Sequence, residues 1–210
     1  MTIKIEIIQM QPGFTNSVLI DNGTSAVIFD PWGGAADWNT LLHDRGLNLN
    51  AVYVTHGHYD HISAIPKLCN PGKWYMNNDD IPIIKWSNPI LFTQGYGTID
   101  VKKNPPAPLV PGIIEILPGL SVEVISTPGH SKGSICFYLP SEKTLITGDT
   151  LFYNSIGRMD LPGGSESAMR ESMRLLRRRE FPGDTTIIPG HGPTGKLAKI
   201  IKENKLLQSW

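Results

Sequence analysis

Cysteine is scarce: Cys69 and Cys136 are the only two in 210 residues. They lie far apart and in no metal-ligand spacing, which excludes a disulfide framework. Each sits beside apolar residues (Leu68, and Ile135 with Phe137), so both are expected to be buried, reduced thiols. Net charge is missing too, because 19 Lys+Arg balance 19 Asp+Glu. A general electrostatic affinity for nucleic acid or anionic membrane is thereby excluded. The one basic run, Arg177-Arg178-Arg179, falls near the end of an expected helix, where cations complement the helix dipole. No stretch approaches the roughly 20 apolar residues of a membrane span. The N-terminal residues alternate polar and apolar, without the long apolar core of a signal peptide. The expectation is a soluble, cytoplasmic protein with no nucleic-acid and no membrane partner.

What is present suffices for one sizeable core. The chain is 40% hydrophobic, and a single domain over residues 1–210 is expected. Residues 3–10 alternate as a strand does. Val18–Ile20 and Ala26–Phe29 flank Asp21-Asn22-Gly23, a strong hairpin signal. Residues 35–44 carry Trp38, Leu41 and Leu42 at helical spacing and close at Gly46. Ala51–Val54 reads as a buried strand, and His61–Cys69 as a helix in which Pro66 fits only the first turns or a kink. Residues 77–112, rich in Asn, Pro and Gly, predict an irregular excursion with one short helix near Asp79–Trp86, bordering a substrate cleft. Two further hairpins are expected, over 113–125 and 134–146. A helix over 165–179 places Met169, Ser172, Met173 and Leu176 on one side, a strand covers 185–188, and a last helix covers 195–207. Strands then helix, in both halves, predict an α/β protein of face-to-face sheets with helices outside.

Chemistry concentrates in Thr55-His56-Gly57-His58-Tyr59-Asp60-His61, which directly follows an apolar strand. Further ligand-type residues end later strands: His130 in Thr127-Pro128-Gly129-His130, Asp149 in Ile146-Thr147-Gly148-Asp149, and His191 in Ile188-Pro189-Gly190-His191. Strand ends are rigid and the loops beyond them are exposed, as a site requires. A lone His-x-His arises freely on one face of a strand. Here five of the six histidines share four strand-end contexts with two aspartates. His43, in a helix pattern without a partner, reads as structural. Imidazole and carboxylate suit zinc, iron and manganese, and the lack of thiolate argues against a closed structural zinc site. Seven ligands are too many for one four-coordinate ion. They divide into two sets sharing a carboxylate, which can bridge cations roughly 3.5–4 Å apart.

These pieces, together with Gly148-Asp149-Thr150-Leu151-Phe152 and Pro189-Gly190-His191-Gly192-Pro193, resemble the metallo-β-lactamase-fold hydrolases in type and order. The resemblance implies an αββα sandwich with metals at one edge. It assigns His56, His58 and His130 to one ion, Asp60, His61 and His191 to another, and Asp149 as the bridge. Ile156-Gly157-Arg158-Met159-Asp160 is similar to the glyoxalase II group, specifically its short single-domain members. That implies hydrolysis of a small-molecule thioester, such as an S-2-hydroxyacylglutathione, by a metal-bridging hydroxide. The implied cofactors are two divalent ions, zinc first, with iron or manganese as alternatives. Asp60 and Asp149 are the implied catalytic residues, with Asp60 orienting the hydroxide.

Arg158 is implied to bind a carboxylate of the thiol carrier, or else to pair with Asp160, which stands where the group has an aromatic residue. No C-terminal helical glutathione-binding domain is expected, and the assembly is expected to be a monomer or small homo-oligomer. Asp30 either orients a ligand histidine or caps a turn. The nearest rival is a persulfide dioxygenase with one iron on His56, His130 and Asp149. A lactonase or β-lactamase is the next. A non-catalytic metal-binding module would show a missing ligand or a cysteine-rich site, and neither is present.

Overall fold

The computed structural model describes residues 2–9, 15–68 and 74–209. Cys69, expected to be a buried thiol, lies outside them, as does Met10 at the end of the first expected strand. The first half builds one sheet. Strand β1 (Lys4–Ile8) pairs with β2 (Ser17–Asp21), and the Asn22-Gly23 turn returns the chain as β3 (Ser25–Phe29), all antiparallel. Helix α1 (Ala35–Asp44) crosses over to β4 (Asn48–Tyr53), which runs parallel to β3. Two short helices, α2 (Tyr59–Ile62) and α3 (Ile65–Leu68), precede β5 (Trp74–Met76). Helix α4 (Ile81–Thr93) then leads to β6 (Ala107–Pro108), completing the order β1-β2-β3-β4-β5-β6.

The second half repeats the plan. Strands β7 (Gly112–Leu117), β8 (Leu120–Ser126), β9 (Ile135–Leu139) and β10 (Thr144–Gly148) form an antiparallel meander. Helix α5 (Glu166–Arg178) carries the chain to β11 (Thr186–Pro189), parallel to β10. Strand β12 (Gly195–Lys196) closes the order β12-β11-β10-β9-β8-β7, and α6 (Leu197–Glu203) and α7 (Lys205–Ser209) follow.

Alternation along the strands dictates the layers. Val18, Ile20, Val27 and Phe29 point between the sheets, against Val122, Val124, Ile135 and Phe137 of the second sheet. Their neighbours Leu19, Ala26 and Ile28 face outward, beneath Trp38 and Leu42 of α1 and Ile84 and Leu91 of α4. On the far side Cys136, Leu145 and Ile187 face Met169, Met173 and Leu176 of α5 and Ile200 of α6. The result is the αββα sandwich. Each of the Val, Leu, Ile, Phe and Met side chains buried between these layers stabilises the fold by roughly 1.5–3 kcal/mol. The Cys136 thiol is buried in the third cluster, and burial pushes it up to about 11. Among the described residues, no helix is long and apolar enough to cross a membrane.

Three expectations need correction. The helix expected over 61–69 is split into α2 and α3, and Pro66 sits in the first turn of α3, where its missing N–H breaks no helical bond. The last expected helix begins as β12 and breaks again at buried Asn204, whose amide donates to the carbonyls of Phe152 and Ser155 at 3.1 and 3.0 Å. Most important, the stretch expected to be irregular contains the 13-residue helix α4, with Pro82 in its first turn and Pro89 inside.

Candidate metal centre

All seven ligand-type residues lie beyond the carboxyl ends of strands, along one edge of the sandwich. His56 and His58 follow β4, with Asp60 and His61 on α2 just beyond. His130 lies between β8 and β9, Asp149 follows β10 and His191 follows β11. Because β3 and β4 are parallel, as are β10 and β11, their carboxyl ends emerge together in pairs. Gly148 lets β10 end this way. Its φ is +48°, and a Cβ there would collide with the Thr55 side chain.

The side chains form overlapping sets. His56, His58 and His130 bring three ring nitrogens together, with His58 Nδ1 2.8 Å and His56 Nε2 3.2 Å from His130 Nε2. Asp60, His61 and His191 form a second group, in which His191 Nε2 lies 3.0 Å and His61 Nε2 3.6 Å from Asp60 Oδ2. Asp149 reaches both: its Oδ2 is 3.6 Å from His130 Nε2 and from His191 Nε2, and its Oδ1 is 3.4 Å from His61 Nε2.

The hydrogen bonds behind the rings fix which nitrogen faces inward. Asp30, at the end of β3, is buried and accepts from Thr55 N–H at 2.7 Å, from the Thr55 hydroxyl at 2.7 Å and from His61 Nδ1–H at 2.9 Å. The Thr55 hydroxyl donates to Asp30, so toward His56 Nδ1, 3.0 Å away, it can only accept. His56 therefore carries its proton on Nδ1 and a lone pair on Nε2. His130 Nδ1–H likewise donates to the Arg158 carbonyl at 2.8 Å. Three inward lone pairs result, each set by a partner on the opposite side of the ring. Asp30 thus orients one ring directly and a second through Thr55. It does so from a left-handed backbone position, φ 50°, that Asp tolerates better than most residues.

The electrostatics divide the cluster. Burial, then the neighbouring imidazoles, pushes His56 well below its ordinary value and His58 down to about 4, so these two rings are neutral. His61 moves the other way: burial opposes its charge, but Asp30, Asp60 and Asp149 outweigh it. His191 is raised against burial by Asp60 and Asp149. Both carboxylates are held below the usual range despite burial, chiefly by His61. The acidic half therefore demands positive charge, as protons or as a cation.

His61 Nε2 and Asp149 Oδ1 are buried and have no hydrogen-bond partner. Buried polar atoms without partners mark a site for something else to bind. Converging imidazoles, two carboxylates and orphaned inward atoms fit a cluster of divalent cations.

Other positions are placed as follows. Arg158 is exposed, and its guanidinium grips Asp160 through two bonds, at 2.7 and 2.6 Å. Its backbone carbonyl, by contrast, holds His130. His43 lies exposed at the end of α1, 3.3 Å from Asp44. Two neighbours escaped the sequence reading. Trp86 of α4, 38% exposed, meets His58 edge-on with ring centroids 5.6 Å apart. Phe152 lies 6.2 Å from His191. Both give the cluster apolar flanks. Trp86 falls within the short helix expected near Asp79–Trp86, but nothing in the local sequence places that helix against the histidine loops.

Comparison with known proteins agrees with this geometry. The sequence model described as the metallo-beta-lactamase superfamily matches residues 10–191. A probable metallo-hydrolase of Bacillus subtilis, YqgX, is 33% identical, covering 93% of each chain. The hydroxyacylglutathione hydrolase GloC of Haemophilus influenzae is 31% identical, covering 99% of each. Among solved structures, TTHA1623 in a di-iron-bound form superposes with a TM-score of 0.79 at 31% identity, covering 95% of this chain and 98% of that one.

Proposed function

The chain belongs to the metallo-beta-lactamase superfamily and is a metallo-hydrolase of it; from that membership we propose that it hydrolyses a small-molecule thioester, with an S-2-hydroxyacylglutathione as the first candidate. The observation that carries the reading is Asp149, within 3.6 Å of both His130 and His191 and 3.4 Å of His61. Asp60, His61 and His191 add a second ligand set beside the first, which supports the two-ion reading. The resemblance over nearly the whole length to a relative named hydroxyacylglutathione hydrolase supports the substrate class.

In this reading His56, His58 and His130 hold one divalent ion, Asp60, His61 and His191 hold a second, and Asp149 is shared. Such ions, zinc first and iron or manganese as alternatives, supply Lewis acidity toward a carbonyl oxygen and water that ionises near neutral pH. Asp60, kept ionised by His61 and His191, accepts a hydrogen bond from the attacking water and orients it. Attack by the ionised water, whose proton has gone to solvent, forms the new C–O bond and breaks the C–S bond, giving a carboxylic acid and a thiolate. A thiol of pKa about 8.5 leaves without a proton donor. That matches a cluster whose ionisable groups are all assigned as ligands. Trp86 and Phe152 flank the acyl group. Arg158 sits at the rim and exchanges Asp160 for a carboxylate of the thiol carrier.

Protein loaded with zinc, and separately with iron or manganese, is expected to hydrolyse S-lactoylglutathione, followed by loss of thioester absorbance. No turnover with any loading would remove the thioester assignment.

A further inference from the structure

Asp80 is completely buried at the amino end of α4, yet its carboxylate does not cap that helix. It is turned instead onto the two loops that carry the three-histidine set. Oδ2 accepts from Gly57 N–H at 2.8 Å and from the Ser131 hydroxyl at 2.7 Å, and Oδ1 accepts from Gly133 N–H at 2.6 Å. Gly57 is the residue between His56 and His58, and Ser131 follows His130. The same helix holds the following peptide as well, where the Ser87 hydroxyl donates to the Gly57 carbonyl at 2.9 Å. The approach is close enough to dictate sequence: a Cβ on Gly133 would lie 2.8 Å from Asp80 atoms. None of these bonds goes to Asp60, His61 or His191; of that set, the His61 ring is held by Asp30 instead.

Resting on the two-ion reading above, we propose that Asp80 is the positioning residue of the three-histidine set alone. It spaces His58 against His130 by clamping their loops to α4. Asparagine at this position keeps the shape but offers an NH2 where two donors already point. One of the two loops then loses its anchor. The acidic set, in which Asp30 holds the His61 ring and Asp80 holds nothing, keeps its geometry.

The test is a cobalt(II) titration of metal-free wild type and Asp80→Asn, followed by visible absorption and by the paramagnetically shifted ring N–H protons of the bound histidines. The His130 Nδ1 proton, bonded to the Arg158 carbonyl, reports on the three-histidine set. Asp80→Asn is expected to bind cobalt at that set about 10–100-fold more weakly, the usual effect of losing a partner behind a ligand. Affinity at the acidic set should stay within about threefold, less than half a decade in binding constant. Unchanged affinity at the three-histidine set overturns the proposal, and so does an equal fall at both sets, which would mark a merely structural residue. Should Asp80→Asn fail to fold by circular dichroism, Ser131→Ala removes one of the three bonds and must give a smaller loss at the same set. Uptake of fewer than two ions by wild type is a failure of the two-ion reading alone, and the difference between wild type and variant at His130 is still read.

Discussion

Asp149→Asn is expected to lower thioester hydrolysis by at least about 10³-fold, equivalent to roughly 4 kcal/mol of transition-state stabilisation. The reason is positional. Asp149 lies within 3.6 Å of His130 in one set and of His61 and His191 in the other, and its carboxylate is kept ionised by His61, His191 and His130. Asparagine has nearly the same shape but no charge, so the fold should survive. What changes is the electrostatic demand of the cluster: one of its negative charges is removed while the buried imidazoles remain. The variant should retain less than two equivalents of metal, and its activity should not return when metal is added in excess. Steady-state kinetics with metal analysis on the same sample measures both. Full activity with two bound ions would refute the sharing of Asp149.

Asp30→Asn should be nearly as damaging by a different route. Asp30 touches no inward-facing atom, but its oxygens receive the Thr55 amide, the Thr55 hydroxyl and His61 Nδ1–H. Asparagine puts an NH2 against one of these donors in a buried site, and leaving a buried donor unsatisfied costs about 1–3 kcal/mol. Against His61 the consequence is chemical as well: the ring loses the acceptor that keeps its proton on Nδ1. Through Thr55 the same loss reaches His56. Since those rings belong to different sets, the variant should lose about 10–100-fold in affinity for both ions. That contrasts with the one-sided loss expected for Asp80→Asn. A metal titration read beside a denaturant melt separates the binding effect from the stability effect. Wild-type affinity for both ions would show that Asp30 is only a turn residue.

The two acids differ in how far the sequence revealed them. Asp30 stood at the end of an apolar strand before Pro31, so a role behind a ligand histidine was one of two readings open for it. Asp80 stood in Asn77-Asn78-Asp79-Asp80, at the start of the short helix expected near Asp79–Trp86, where nothing local points to a partner. Its importance comes from Gly57 and Gly133, distant in sequence and brought to it by the packing of α4 against the histidine loops. Helix α4 itself was obscured by Pro82 and Pro89. The first of these is a normal residue in an initial helical turn, and Ile83, Ile84 and Leu91 mark the buried face.

Strands were easier to read because, with both faces buried, they stand out as short continuous apolar runs bounded by turn residues, as Val18-Leu19-Ile20 does before Asp21-Asn22-Gly23. The last helix was overextended because Lys196 to Leu207 is helical in composition. Only the long-range bonds of Asn204 to Phe152 and Ser155 interrupt it. The seven site residues were legible because each follows an apolar strand within a Gly- or Pro-bearing turn, a local pattern that needs no knowledge of packing.

Metal content of the active protein bears most directly on the two-ion hydrolase. Protein purified with its native metal should contain two divalent ions per chain by elemental analysis. It should lose S-lactoylglutathione hydrolysis when a chelator removes them and recover it in proportion as two equivalents are returned. One iron per chain, with oxygen consumed on addition of glutathione persulfide and no thioester turnover, would contradict it.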